Sequence, residues 1–121
     1  MLEIFKTFSF DAAHTLAGNV PEGHPYSRMH GHSFQVEVTL RGNPDPATGW
    51  IADLAEVDHL LTGVKSKLDH QFLNDIDGLQ PPTLENLARW IYAALQPSLA
   101  GIAKIVVRRG SAGEGCVYTP D

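Results

Sequence analysis

Residues 28–42 read RMHGHSFQVEVTLRG, and their second half decides the fold. Phe34, Val36, Val38 and Leu40 alternate with Gln35, Glu37, Thr39 and Arg41, the two-residue period of a strand with one buried face and one wet face. This is the clearest strand in the chain. Just before it, His30 and His32 flank Gly31. Successive side chains on a strand point to opposite faces, so the two imidazoles share a face and can grip one ion from one side. Gly31 keeps the far side unobstructed.

Working outward, an upstream strand is expected over Leu2–Phe10, where Leu2, Ile4, Phe8 and Phe10 fall on alternate positions. A loop follows in TLAGNVPEGHPYS, rich in Gly, Pro and Asn. Downstream, GNPDPATG reads as a turn and WIAD as a short strand end. From Asp53 the period changes. Leu54, Val57, Leu60, Leu61, Val64 and Leu68 recur at helical spacing, and Asp53 with Glu56 has the spacing of a capping box. A second helix starts at Thr83 as N-cap, carries Leu84, Leu87, Ala88, Ile91 and Leu95 on one stripe, and ends before Pro97. IAKIVVRR and GCVYT are strands about the glycine-rich turn GSAGEG. The order β-β-(β)-α-α-β-β predicts an α+β fold, an antiparallel sheet with both helices on one face, filling residues 1–121 as one domain.

Composition narrows the function. With 121 residues, 43% of them hydrophobic, the chain can bury one core and has no room for a second. A formal charge of -5 argues against nucleic-acid or anionic-membrane partners, which need a basic surface. No apolar run approaches the roughly 20 residues of a membrane span, and MLEIFKTF lacks the pattern of a signal peptide. The lone Cys116 excludes an intramolecular disulfide and suits a reducing compartment, so a cytoplasmic protein with a small-molecule partner is the expectation.

A metal held by His30 and His32 needs a third ligand, and His14, in FDAAH at the end of the first strand, is the best candidate. Three neutral imidazoles with a vacant fourth position are the pattern of catalytic zinc, whereas structural zinc fills all four positions, often with thiolates. The spacing alone also fits two polar residues at a strand start. Asp69 and His70 stand side by side in LDHQFLND. A carboxylate can fix an imidazole's tautomer and raise its basicity, as a general base requires. The alternative is a histidine favoured at a helix C-terminus by the macrodipole. His59 is expected in solvent, and His24 lies in the loop before the metal motif with either role open.

The segments FSFDAAH, VPEGH, HGHSF, TGWIADLAEV, LDHQFLND, PPTLENLARWI and GCVY, in this order, resemble the 6-pyruvoyltetrahydropterin synthase and 6-carboxytetrahydropterin synthase family, most closely its queuosine-pathway branch. The resemblance implies the tunnelling fold: a four-stranded antiparallel sheet backed by two helices, assembled into oligomeric barrels, a hexamer being expected, with active sites between subunits. It implies zinc on His14, His30 and His32, catalysis by Asp69 and His70, and contacts to a pterin-like substrate from Thr83, Glu85 and the last hairpin. The reaction of that branch converts dihydroneopterin triphosphate to 6-carboxytetrahydropterin with loss of acetaldehyde and triphosphate.

Two positions depart from the resemblance. It places a catalytic cysteine four residues before the first histidine of HGH, where this chain has Tyr26. A phenol, with a pKa near 10 against about 8.5 for a thiol, is the poorer base at neutral pH, although it can still donate a proton. It also places a glutamate that anchors the pterin's donor edge where this chain has Arg109. An arginine has no acceptor to offer there. Glu114 can substitute from the turn, since the hairpin is one residue longer than its relatives, but this requires a shifted register. Arg108 and Arg109 alternate along the strand, so at most one enters the pocket. The leading expectation is a zinc-dependent 6-carboxytetrahydropterin synthase-like lyase acting on dihydroneopterin triphosphate or a related pterin. The alternatives are a divergent zinc enzyme with a carboxylate- or phosphate-bearing substrate and an inactive ligand-binding protein.

Overall fold

The computed structural model describes all residues from Met1 to Asp121. Strands β1 (Leu2–His14) and β2 (His30–Gly42) form a long antiparallel ribbon, in register from Leu2 opposite Gly42 to His14 opposite His30. Helices α1 (Leu54–Leu68) and α2 (Leu84–Leu95) follow, and then strands β3 (Ile102–Arg109) and β4 (Glu114–Tyr118). The four strands lie in the order β1-β2-β3-β4, all antiparallel, with a register shift between Thr39 and Leu40 where β2 meets β3. Both histidine-bearing segments belong to strands, so the pairing extends further than alternation of apolar residues alone predicts. The WIAD strand end does not form. Residues 50–53 are bend and coil leading into α1, which removes the bracketed third strand from the expected order.

One face of the sheet carries the core. Phe10, Ala12, Phe34, Val36, Val38, Leu40, Ile105 and Val107 are buried beneath the helices. The stripe of α2 is buried at every position that its periodicity selects. That of α1 is buried at Val57, Leu61, Val64 and Leu68, while Leu54 stays exposed at the helix start. Each fully buried aliphatic side chain contributes about 1.5–3 kcal/mol, several times any helix-propensity difference, so packing rather than propensity holds these helices. The caps are local. Thr83 accepts from the Asn86 amide at 3.2 Å. Asp53 accepts from Ala55 at 2.9 Å, one residue short of the Glu56 amide that a capping box engages.

The other face is more open. Phe5 on β1 and Val117 on β4 are both exposed there, each on an edge strand; residues 69–72 line the outer side of β1 only at 11–13. No helix is long and apolar enough to cross a membrane.

Candidate metal centre

The β1–β2 ribbon runs on beyond the last β3 pair, Gln35 with Arg108, and the three histidines sit on this overhang. Even-numbered residues of both strands face the helices, so His14, His30 and His32 project to the same side as Phe10 and Phe34. His14 is directly opposite His30, and His32 lies one step diagonally away, opposite Ala12. The paired rings of Phe10 and Phe34, 5.0 Å apart and nearly parallel, form the apolar floor between this trio and the aliphatic core.

The hydrogen bonds fix the chemistry of the trio. His14 Nδ1 meets the Pro82 carbonyl at 2.9 Å, and His30 Nδ1 meets the Arg28 carbonyl at 2.8 Å. A carbonyl only accepts, so each Nδ1 carries a proton, and each ring in its neutral form presents a bare Nε2 lone pair. Those two Nε2 atoms face each other at 3.0 Å. His32 Nε2 is buried with no partner. The ligand atoms of the three rings lie within 4.8 Å of one another. Burial first, and then the neighbouring His30, His32 and Arg109, push the pKa of His14 down to about 4, against the Pro82 hydrogen bond. Burial and then Arg109 also lower that of His32. Both shifts favour the neutral imidazoles that a metal ion takes as ligands. A cation between the three nitrogens satisfies them, and the residues present can therefore hold a metal ion.

Around the trio, Tyr26 is half-buried in a 3-10 turn at Pro25–Ser27, with its ring stacked on His30 at 5.5 Å and 22°. His24 caps that turn by accepting from the Tyr26 amide at 3.1 Å, which gives this histidine a structural role, while His59 is exposed on α1 as expected. Asp69 and His70 are bonded to each other. Asp69 Oδ2 lies 3.1 Å from His70 Nδ1, and Asp69 Oδ1 accepts from the Asp11 amide at 3.0 Å. The Asp11 amide first, and then His70, hold the Asp69 carboxyl below its ordinary pKa. His70 adopts a left-handed backbone, φ 59°, fixed by its own amide donating to the Asp11 carbonyl at 2.7 Å. A non-glycine residue in this region is strained and persists only where its surroundings over-determine it. The His70 side chain is 80% exposed. It borders, with Asp11, Gly31, His32, Ser33 and Ser111, an open cavity of about 660 Å³.

The last hairpin resolves the Arg109 and Glu114 question. The two are directly paired residues of β3 and β4, and Arg109 Nη2 bonds Glu114 Oε1 at 3.0 Å. Arg109 lies on the histidine face and is 7% exposed. Arg108 points the other way, toward Glu37 at 3.6 Å. Neither Arg109 nor Glu114 replaces the other; both occupy the same side, their charges matched, without the register shift that the sequence demanded. Thr83 has its hydroxyl oxygen engaged in capping α2, and the exposed Glu85 in the first turn lies close enough to Cys116 to push its thiol pKa up along with burial. The carbonyls of Arg28 and Pro82 and the amide of Asp11 were not legible beforehand, since backbone groups carry no residue-type signature.

The family model for 6-pyruvoyl tetrahydropterin synthase matches residues 3–121. This chain belongs to that family. The chain is 42% identical over 98 residues to a 6-carboxy-5,6,7,8-tetrahydropterin synthase of Synechocystis, covering 77% of this chain and 74% of that protein. It is 36% identical over 107 residues to a dihydroneopterin monophosphate aldolase of Pyrococcus furiosus, covering 88% and 84%. Among solved structures, the 6-pyruvoyl tetrahydropterin synthase of Caenorhabditis elegans superposes with a TM-score of 0.87 over 99% of this chain and 96% of that one, at 24% identity, which places the fold. The four-stranded sheet with two helices on one face is thus the tunnelling fold of this family.

Proposed function

We propose that this protein is a zinc-dependent lyase of the pterin class, a 6-carboxytetrahydropterin synthase-like enzyme acting on dihydroneopterin triphosphate or a related pterin. The observation that carries this reading is the pair of Nε2 lone pairs of His14 and His30, held face to face at 3.0 Å by carbonyls behind each ring, with His32 Nε2 left over. Three imidazoles and no thiolate match a catalytic zinc site with an open position. When bound, zinc polarises a substrate carbonyl or hydroxyl and lowers the cost of removing the neighbouring proton.

The chain's own groups supply the proton transfers. Asp69 accepts from His70 Nδ1, which leaves His70 Nε2 as the basic atom, and the Asp11 amide keeps the carboxylate aimed. Tyr26, stacked on His30, carries a phenol able to give a proton. The test is acetaldehyde release from dihydroneopterin triphosphate by zinc-loaded protein, with 6-carboxytetrahydropterin as co-product. No release at one zinc per chain defeats the 6-carboxytetrahydropterin synthase assignment. The identity to a protein named dihydroneopterin monophosphate aldolase supports a second reading, cleavage of a phosphorylated dihydroneopterin side chain. Dihydroneopterin monophosphate is therefore the second substrate to assay.

A further inference from the structure

Residues 69–74 lie along the outer edge of β1 near its end, and their bonds to that edge form one series. Asp69 Oδ1 accepts from the Asp11 amide, the His70 amide donates to the Asp11 carbonyl, and the Gln71 carbonyl accepts from the Ala13 amide at 3.1 Å. The next outward rung belongs to Thr15, one residue past the end of β1. The backbone follows no further, because it turns away into the 3-10 turn Leu73–Asp75. The Asn74 side chain takes the place of a peptide there. Its Oδ1 accepts from the Thr15 amide at 2.9 Å and its Nδ2 donates to the Thr15 carbonyl at 3.0 Å. A carboxamide carries the same donor and acceptor as a peptide unit, whereas a carboxylate lacks the donor.

Thr15 passes this restraint on. Its hydroxyl donates to the Ser27 carbonyl at 3.0 Å, and the amide of the buried Leu16 donates to the Tyr26 carbonyl at 2.9 Å. These two bonds tie the Pro25–Ser27 turn to the end of β1, while those from the Tyr26 amide and the Ser27 hydroxyl to His24 stay within the turn and its cap. On the β2 side the ladder has already ended at His14 opposite His30, so Asn74 is what holds the Thr15 backbone. The metal ligands are braced separately, His14 by the Pro82 carbonyl and His30 by that of Arg28.

We propose that Asn74 is a positioning residue: by standing in for a strand rung at Thr15, it fixes the Tyr26 turn relative to His14 and to the Asp69 and His70 pair carried on its own segment. This rests on the lyase reading of the site, in which Tyr26 and His70 move protons. Two such groups serve one substrate only when their reach is set jointly, and a displacement of about 1 Å can cost about 10²-fold in rate.

The experiment makes two measurements on the zinc-loaded full chain. Amide hydrogen exchange is read at Leu16, which bonds Tyr26 and not Asn74. Asn74→Leu keeps the size of the side chain and removes both bonds; it should speed that exchange by about tenfold at unchanged zinc content. Acetaldehyde release from dihydroneopterin triphosphate is then compared for Asn74→Leu, Tyr26→Phe and the double variant. Asn74→Leu alone should lower kcat by about tenfold or more with KM little changed, and adding it to Tyr26→Phe should lower kcat no further, because both changes act through one phenol. If circular dichroism shows that Asn74→Leu does not fold, Asn74→Asp, which keeps only the bond to the Thr15 amide, takes its place. Thr15→Val tests the connection from the other side by removing the hydroxyl that reaches Ser27. Unchanged Leu16 protection in these variants, or additive losses in kcat, overturns the positioning role and leaves the lyase reading standing. A wild type without turnover removes the lyase reading, and the Leu16 exchange then decides alone whether Asn74 holds the Tyr26 turn.

Discussion

His14 and His30 stand opposite each other at the last rung of the β1–β2 ladder with their unprotonated Nε2 atoms 3.0 Å apart. Two lone pairs at that distance repel, and the carbonyls of Pro82 and Arg28 prevent either ring from switching tautomer. The ribbon thus holds three imidazole nitrogens in an arrangement that a cation between them satisfies. Purified protein is expected to carry one zinc per chain. His30→Ala should remove most of it, because a two-ligand site binds weakly. Metal analysis after dialysis checks this, and full occupancy in His30→Ala refutes the ligand assignment.

Acid should act on the same residues. The folded-state pKa of His14, about 4, lies below its unfolded value near 6.5, and that of His32 is shifted the same way. Between those values the unfolded chain binds more protons than the native one, so stability is full above about pH 6.5 and falls as pH drops toward 4. For His14 the loss approaches roughly 3 kcal/mol. Urea midpoints of metal-free protein should decline across that window, and replacing His14 with a residue that does not titrate should flatten the decline. A midpoint independent of pH from 7 to 4 contradicts the shift.

The core was legible because periodicity reports burial directly. Every residue of the α2 stripe and every apolar residue of β2 from Phe34 to Leu40 is buried as the pattern implies. The histidine trio was legible for the same reason, since parity along a strand fixes which face a side chain takes. WIAD failed because a four-residue apolar stretch has no pairing partner to make it a strand; the neighbouring side of β1 is free, yet residues 50–53 turn into α1 instead. The contact between Arg109 and Glu114 was not legible in the sequence. Pairing across a hairpin depends on turn geometry, and here the turn closes through Gly113 at φ 67°, which sets Glu114 opposite Arg109.

That hairpin has a tight spot at Gly115. A Cβ there would lie 2.8 Å from the Val107 carbonyl oxygen and 3.3 Å from the Arg108 side chain. Gly115→Ala should push β4 away from β3 and destabilise the protein by about 1–3 kcal/mol. It should also weaken the Arg109 to Glu114 contact beside it. Thermal denaturation measures the first effect, and a melting temperature equal to wild type would show that β4 shifts without cost.

Association is expected through the strand edges. The outer side of β4, and that of β1 ahead of Asp11, leave rows of unpaired amides and carbonyls, and Phe5 and Val117 are exposed on those same stretches. Such edges pair with other chains unless blunted by charge or proline. Sedimentation should find a species several times the mass of one chain, and Phe5→Lys should shift it toward the monomer. A wild-type monomer at micromolar concentration excludes the arrangement.

Tyr26 separates binding from chemistry. Its ring covers His30 in a stacked contact, so the residue can act on the metal site through packing alone, through its phenol, or through both. Tyr26→Phe keeps the ring and removes the hydroxyl; zinc content should remain at the wild-type level while turnover falls by 10²-fold or more, the scale of losing a general acid or base. Tyr26→Cys removes the ring and supplies a thiol whose pKa, about 8.5, lies closer to working pH than that of a phenol. Turnover should be kept or raised in that variant, with weaker zinc retention because His30 loses its cover. Tyr26→Ala should lose both properties. The three variants are compared by metal analysis and by acetaldehyde release from dihydroneopterin triphosphate. If Tyr26→Phe turns over at the wild-type rate, the phenol has no part in proton transfer, and the exposed Nε2 of His70, oriented by Asp69, is left as the group that moves the proton.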